Sequence, residues 1–159
     1  MKTLVLDGFN ESDGVQAVTL AAVKEELAGR GWEAEVLVPR ELDVSPCTGC
    51  FGCWTRQPGM CVQEDDIHAV CAKMIKSDLL VVVSPLSFGG YSSAAKAVLD
   101  RSLGLISPFF MLVKGEVHHK PRYDRAPAMA ALGVNHGDCE RCPEIFSTLL
   151  FLFQLCYDT

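Results

Sequence analysis

Cys47, Cys50, Cys53 and Cys61 lie in the run PCTGCFGCWTRQPGMC, with two residues between each of the first three and seven before the last. Thiolates at a repeated two-residue spacing on a tight loop can turn toward one point. Ferredoxin-type segments hold iron–sulfur clusters in this way. Zinc is the rival use of the same ligands, and plain thiols are the bland reading. The doubled spacing places iron–sulfur ahead of zinc. A second pair, Cys139 and Cys142, has the spacing of a redox dithiol, but a lone pair of this kind serves structure at least as often. Cys71 falls on an apolar helix face and reads as packing. Cys156 sits in an apolar tail and has no assignable role.

The elements that must carry these residues alternate. Lys2 to Leu6 is an apolar run ending at Asp7-Gly8 and reads as a buried strand. Val15 to Ala28 has helical spacing and stops at Gly29 and Gly31. Glu33 to Val38 alternates like a strand until Pro39. Cys47 to Cys61 reads as a loop rich in Gly and Pro. Ile67, Val70, Cys71, Met74 and Ile75 share a helical face, with Glu64, Asp65 and Asp66 at its positive end. Leu79 to Val83 is wholly apolar, as in a central parallel strand. Ser92 or Ser93 caps a helix reaching about Leu103. Ala128 to Val134 is the fourth strand, and Pro143 opens a last helix running to about Cys156. Such an order predicts right-handed crossovers and a parallel sheet in one domain spanning 1–159. Between Ile106 and Ala126 the connection is long enough to need structure of its own. A hairpin turning at Lys114-Gly115, from Phe109–Val113 to Glu116–Arg122, would supply it. His118 and His119 would then point to opposite faces and would not share one metal ion.

Ligands of parallel sheets sit in the crevice beyond the carboxyl ends of the strands. Three loops reach it here: Asp7 to Gly14, Ser84 to Ser92, and Val134 to Arg141, which brings Asn135 and His136. Backbone amides at Gly14 and Val15, with Asn10 and Ser12, could hold a phosphate at the first helix start. Pro85, Leu86, Ser87, Phe88, Gly89, Gly90 and Tyr91 could line a planar ring, glycine allowing the backbone to approach it.

The run SPLSFGGYSSAAKAVLDR resembles the flavin-ring loop of the NAD(P)H-dependent FMN reductase and multimeric flavodoxin families. Pro85, Phe88, Gly89, Gly90, Ser92, Lys96, Asp100 and Arg101 carry the likeness. The cysteine run resembles that of the iron–sulfur flavoprotein branch, whose four cysteines ligate a [4Fe–4S] cluster near FMN. The resemblance implies an α/β, flavodoxin-like three-layer sandwich with a parallel sheet, here lacking the fifth strand and helix. It further implies FMN as cofactor, NAD(P)H as cosubstrate, and an unknown small-molecule or protein electron acceptor. The alternatives are an electron-transfer iron–sulfur flavoprotein that binds no nicotinamide, and a non-catalytic member that keeps the fold without the flavin. A lid offering Arg122 or His119 to NAD(P)H is the sharper use of the long connection, and a solvated loop the plainer one. The first loop departs from the family: Asp7, Glu11 and Asp13 would stand beside a phosphate dianion. At about 6 Å and an effective dielectric of about 20, each such pair costs roughly 2–3 kcal/mol.

Net charge of -6 argues against a phosphate-backbone binder, so nucleic acid is not expected as a partner. No signal peptide is visible at the start, and the run from Ile145 to Leu155 is too short to span a bilayer. The expectation is a cytoplasmic protein with reduced thiols. The last helix is apolar nearly all round, which predicts a homo-oligomer.

Overall fold

A computed structural model describes residues 1–137 and 140–154. The chain runs β1 (Lys2–Asp7), α1 (Gly14–Gly29), β2 (Glu33–Leu37), α2 (Gly52–Thr55), α3 (Ile67–Lys76), β3 (Leu79–Pro85), α4 (Ser93–Arg101), β4 (Phe110–Val113), β5 (Glu116–His119), β6 (Ala128–Val134) and α5 (Cys142–Gln154). β2, β1, β3 and β6 pair in that order, all parallel. Their side chains alternate between faces, as the pleat requires. Leu4, Leu6, Leu80 and Val82 meet Ile67, Val70 and Met74 of α3, Val98 and Leu99 of α4, and Phe146 of α5. Val5, Val81 and Val83 meet Leu20 and Leu27 of α1 on the other face. Helices therefore cover both faces, giving the three-layer flavodoxin-like sandwich with a parallel sheet.

Cover is incomplete on the α1 side. Ala128, Ala130 and Leu132 of β6 are exposed there, Leu132 at 43%. Among the described residues, β6 pairs with β3 alone.

Several elements differ in detail from their sequence reading. The cysteine segment is not all loop, because Gly52–Thr55 closes one helical turn within it. α4 ends at Arg101, and a 3-10 turn over Ser102–Leu105 continues it. The hairpin forms with Lys114 and Gly115 both at positive φ, the geometry of a tight primed turn. Its second strand stops at His119 rather than Arg122, since Pro121 has no N–H for a ladder. Asp65 and Asp66 do more than favour a helix dipole: Asp66 accepts from the amide of Asp43 at 2.8 Å, and Asp65 pairs with Arg101. No helix among the described residues is long and apolar enough to cross a membrane.

Candidate functional site

β1, β3 and β6 end side by side, and their following loops are stitched together. The amide of Gly8 donates to the carbonyl of Val83 at 2.7 Å. A Cβ on Gly8 would lie 2.8 Å from both that oxygen and the Ala95 Cβ, so the backbones can meet only at glycine. Ser92 Oγ donates to the carbonyl of Gly8 and accepts from the amide of Ala95, capping α4. Asn10 Oδ1 accepts from Ser93 Oγ at 3.1 Å and from the amide of Ala94 at 3.3 Å. The Phe9 ring meets His136 edge-on at 6.5 Å. Leu86 donates its amide to the carbonyl of Val134, and Asn135 Oδ1 accepts from Gly137. Asn10, the run from Pro85 to Tyr91, Asn135 and His136 thus share one end of the sheet.

Within that run the roles divide. Ser87 and Gly90 exchange two backbone hydrogen bonds at 3.1 and 2.9 Å, forcing Phe88 and Gly89 to φ of 51° and 78°. A left-handed phenylalanine is strained, and this one is 100% exposed, so burial does not offset the strain. Leu86 and Tyr91 instead turn toward the core, Tyr91 packing on Phe146 with ring centroids 5.2 Å apart. Gly89 is held against Ile145 of α5: a Cβ there would come within 2.5 Å of Ile145 Cγ2. Gly90 and Gly14 have room. A Cβ on Gly90 meets only the Ser87 oxygen at 3.7 Å, and one on Gly14 meets nothing within 4 Å. Open backbone at these two places fits a planar ring and its phosphate arm.

Arg40, which no local sequence signal marks, reshapes the first loop. Its Nη1 donates to Asp7 Oδ2 at 2.7 Å, and its Nη2 to Ser12 Oγ at 2.8 Å. Asp7 is fully buried and also accepts from Gln16 Nε2 and the amide of Phe9. Asp13 is turned into the α1 cap, accepting from the amide of Gln16 at 2.7 Å. Of the three acidic side chains, Asp7 is therefore neutralised, Asp13 faces helix amides, and Glu11 remains exposed. A buried carboxylate at a strand end demands a cation. That demand is the clue that could have led to Arg40.

The cysteine segment lies at the C-terminal end of α4 and against the 3-10 turn that follows, where Arg101 meets Cys61 and Gly104 approaches Cys53. Amides of Gly49 and Gly52 approach the sulfurs of Cys47 and Cys50 at 3.5 Å, and Arg101 Nε donates to Cys61 Sγ at 3.2 Å. The Cys50 thiol is acidified, first by that Gly52 amide and then by Thr48. Burial, followed by the field of Cys61 and then of Cys47 and Cys50, pushes Cys53 up. Burial also pushes Cys71 up to about 12, with Cys61 adding to it. N–H donors to sulfur are what cysteinyl iron–sulfur ligands require. No three His, Cys, Asp or Glu among the described residues are gathered around a single metal ion. A [4Fe–4S] cluster sets a different demand, since each thiolate binds its own iron. Trp54 anchors the segment, donating Nε1 to the carbonyl of Ile106 at 2.9 Å. Cys142 is buried and disulfide-bonded, while Cys139 and Cys156 lie outside the described residues.

The family model for NADPH-dependent FMN reductase matches residues 1–137. The chain belongs to that family. Among curated proteins, an iron–sulfur flavoprotein of Archaeoglobus fulgidus is 32% identical over 102 residues, covering 64% of this chain and 49% of its own length. Another, of Methanocaldococcus jannaschii, is 29% identical over 102 residues, covering 64% and 52%. The chain thus spans about half the length of these relatives. Solved structures show the same fold. RosB, with a bound 8-demethyl-8-formylriboflavin-5'-phosphate intermediate, superposes with a TM-score of 0.62 at 19% identity over 98% of this chain and 60% of its own. An FMN-dependent NADH-azoreductase from Bacillus anthracis, in complex with FMN, gives 0.60 at 14% identity over 98% and 81%. The expected family and fold therefore stand.

Proposed function

We propose that this chain is the flavin-binding part of an FMN-dependent oxidoreductase, taking electrons from NAD(P)H and passing them to an acceptor through a centre on Cys47, Cys50, Cys53 and Cys61. The observation that carries the flavin half is the exposed, strained turn at Phe88–Gly89, set between two loops of a family that reduces FMN. Bound FMN would supply hydride acceptance and one-electron release. The turn and the backbone of Gly90 would receive the ring, with Asn135 and His136 at its flank. Asn10, Ser12, the amides of Gly14 and Val15, and the guanidinium of Arg40 would hold the phosphate. Phe88 would shield the ring from water.

The cysteine half is supported by the amide and guanidinium donors to sulfur and by the iron–sulfur flavoprotein relatives. Cys47 and Cys50 are exposed, which suits single-electron exchange with a protein acceptor that needs no nicotinamide. Anaerobic purification with FMN, iron and sulfide assays, followed by mixing with NADH or NADPH, tests both halves. Stoichiometric FMN that bleaches on mixing is expected. Protein that retains no flavin when FMN is supplied refutes the reading. Flavin that bleaches only with dithionite supports the electron-transfer form.

A further inference from the structure

Arg101 has no exposed side-chain surface, and its three nitrogens are committed to three partners. Nε donates to Cys61 Sγ at 3.2 Å, Nη1 to the carbonyl of Ser45 at 2.7 Å, and Nη2 to Asp65 Oδ1 at 2.9 Å. Ser45 lies just ahead of the first cysteine of the segment and Asp65 just past the last. One guanidinium on α4 therefore fastens the segment at both ends. A buried ion pair accounts for the contact with Asp65 and a loop anchor for that with Ser45. Neither accounts for an N–H aimed at sulfur, which accepts weakly as a neutral thiol. Such a donor is well used when the sulfur carries charge, as a thiolate or a metal-bound thiolate does.

The same helix reaches the crevice. Its cap, Ser92, binds the carbonyl of Gly8, and its first residues bind Asn10. The cysteine segment and the flavin loops are thereby mounted on opposite ends of one rigid rod of nine residues.

We propose that Arg101 is a positioning residue for the cysteine centre: it fixes Cys61 against α4, and its hydrogen bond and charge raise the midpoint potential of a cluster bound there. This rests on the cysteine-centre reading above. A cluster gains negative charge on reduction, so a nearby cation and an N–H donor to a ligating sulfur favour the reduced form. Asp65, paired with Arg101 and 8% exposed, offsets part of that charge. The two residues should therefore act with opposite signs.

The test uses the whole chain with its cluster reconstituted, and the readout is the midpoint potential in an EPR-monitored titration. Arg101→Gln should lower the potential, Arg101→Lys should lower it less, and Asp65→Asn should raise it. Iron, sulfide and FMN contents monitor integrity. Wild-type protein that takes up no iron overturns the cysteine-centre reading, and this inference with it. Wild-type protein that holds a cluster while all three variants keep its potential overturns this inference alone. If the variants fail to fold, wild-type protein labelled with 15N-arginine decides. Pulsed EPR of its reduced cluster should show coupling to an arginine nitrogen, and no coupling overturns the inference.

Discussion

Two of the contacts that Arg40 makes place demands that can be separated. The guanidinium compensates the buried charge of Asp7 and offers a second nitrogen at Ser12, where a phosphate would arrive. Arg40→Met should cost about 3–5 kcal/mol of stability, because it leaves a buried carboxylate unpaired. Adding Asp7→Asn should restore part of that loss, since it removes the buried charge while its single oxygen keeps one of the two donors, Gln16 Nε2 or the Phe9 amide. FMN affinity should stay at least about tenfold weaker in the double variant, the worth of one charge-assisted hydrogen bond. Riboflavin, without the phosphate, should bind as it does to wild type. Equal losses for both flavins, measured by fluorescence titration, would place the phosphate elsewhere. Asp65 makes a separate pH prediction. Burial works against its ionisation, but hydrogen bonding to Arg101, then to Ile67, and the Arg101 charge outweigh it, so its pKa lies below the ordinary carboxylate value. A lowered folded-state pKa gives stability that is whole above the unfolded value of about 4 and is lost as pH falls through the folded one. Asp65→Asn should therefore lose less stability than wild type between pH 7 and that acid range, read as urea midpoints. Identical acid losses would remove Asp65 from the account. Spacing made the four cysteines legible in the sequence. Arg40 and Asp65 were not, because their roles arise from contacts 33 and 36 positions away.

The turn from Ser87 to Gly90 sets local stability against ligand contact. Phe88 occupies a left-handed conformation that costs roughly 1–2 kcal/mol for a residue with a Cβ. Asparagine tolerates that conformation better. Phe88→Asn should leave the apo protein as stable or slightly more so, with weaker FMN retention if the ring packs on Phe88. A variant less stable in thermal unfolding would mean that the phenylalanine supports the fold instead. Gly89 is a poor probe of flavin contact because Ile145 fills its space. Gly90→Val is cleaner, and should weaken flavin binding with a small change in melting temperature. The sheet strands and the major helices were readable from local properties: apolar runs at Lys2–Leu6 and Leu79–Val83, alternation at Glu33–Val38, and a shared apolar face from Ile67 to Ile75. Capping was readable for the same reason at Ser92. What escaped was tertiary. The short helix Gly52–Thr55 has too few residues to show a period, and β5 ends where Pro121 denies a donor.

The molecule as a whole leaves apolar surface uncovered. On α5, Ile145 and Leu149 are 44% and 37% exposed and stand one helical turn apart, while Phe146 faces the core. The sequence continues the apolar run through Phe151, Leu152 and Phe153. Nearby, β6 presents an outer edge with no strand partner among the described residues. Such an edge is a pairing liability unless something covers it. A two-fold axis along α5 would bury the Ile145 and Leu149 stripe against its own copy. Four side chains with under half their surface left to bury contribute only about 2–5 kcal/mol. Association costs at least about 4 kcal/mol and often far more, so the stripe alone does not hold a dimer. Stability then requires further surface, which the β6 edge offers among the described residues. We predict a homodimer with α5 in its interface and Leu132 at or near the rim. Sedimentation velocity at micromolar concentration should give one dimeric species. Leu149→Glu should shift it to monomer without lowering the melting temperature of the monomer, and Leu132→Glu should weaken it less. A wild-type monomer at that concentration refutes the dimer. Polydisperse aggregation would mean that the stripe is covered by something other than a second copy of this chain.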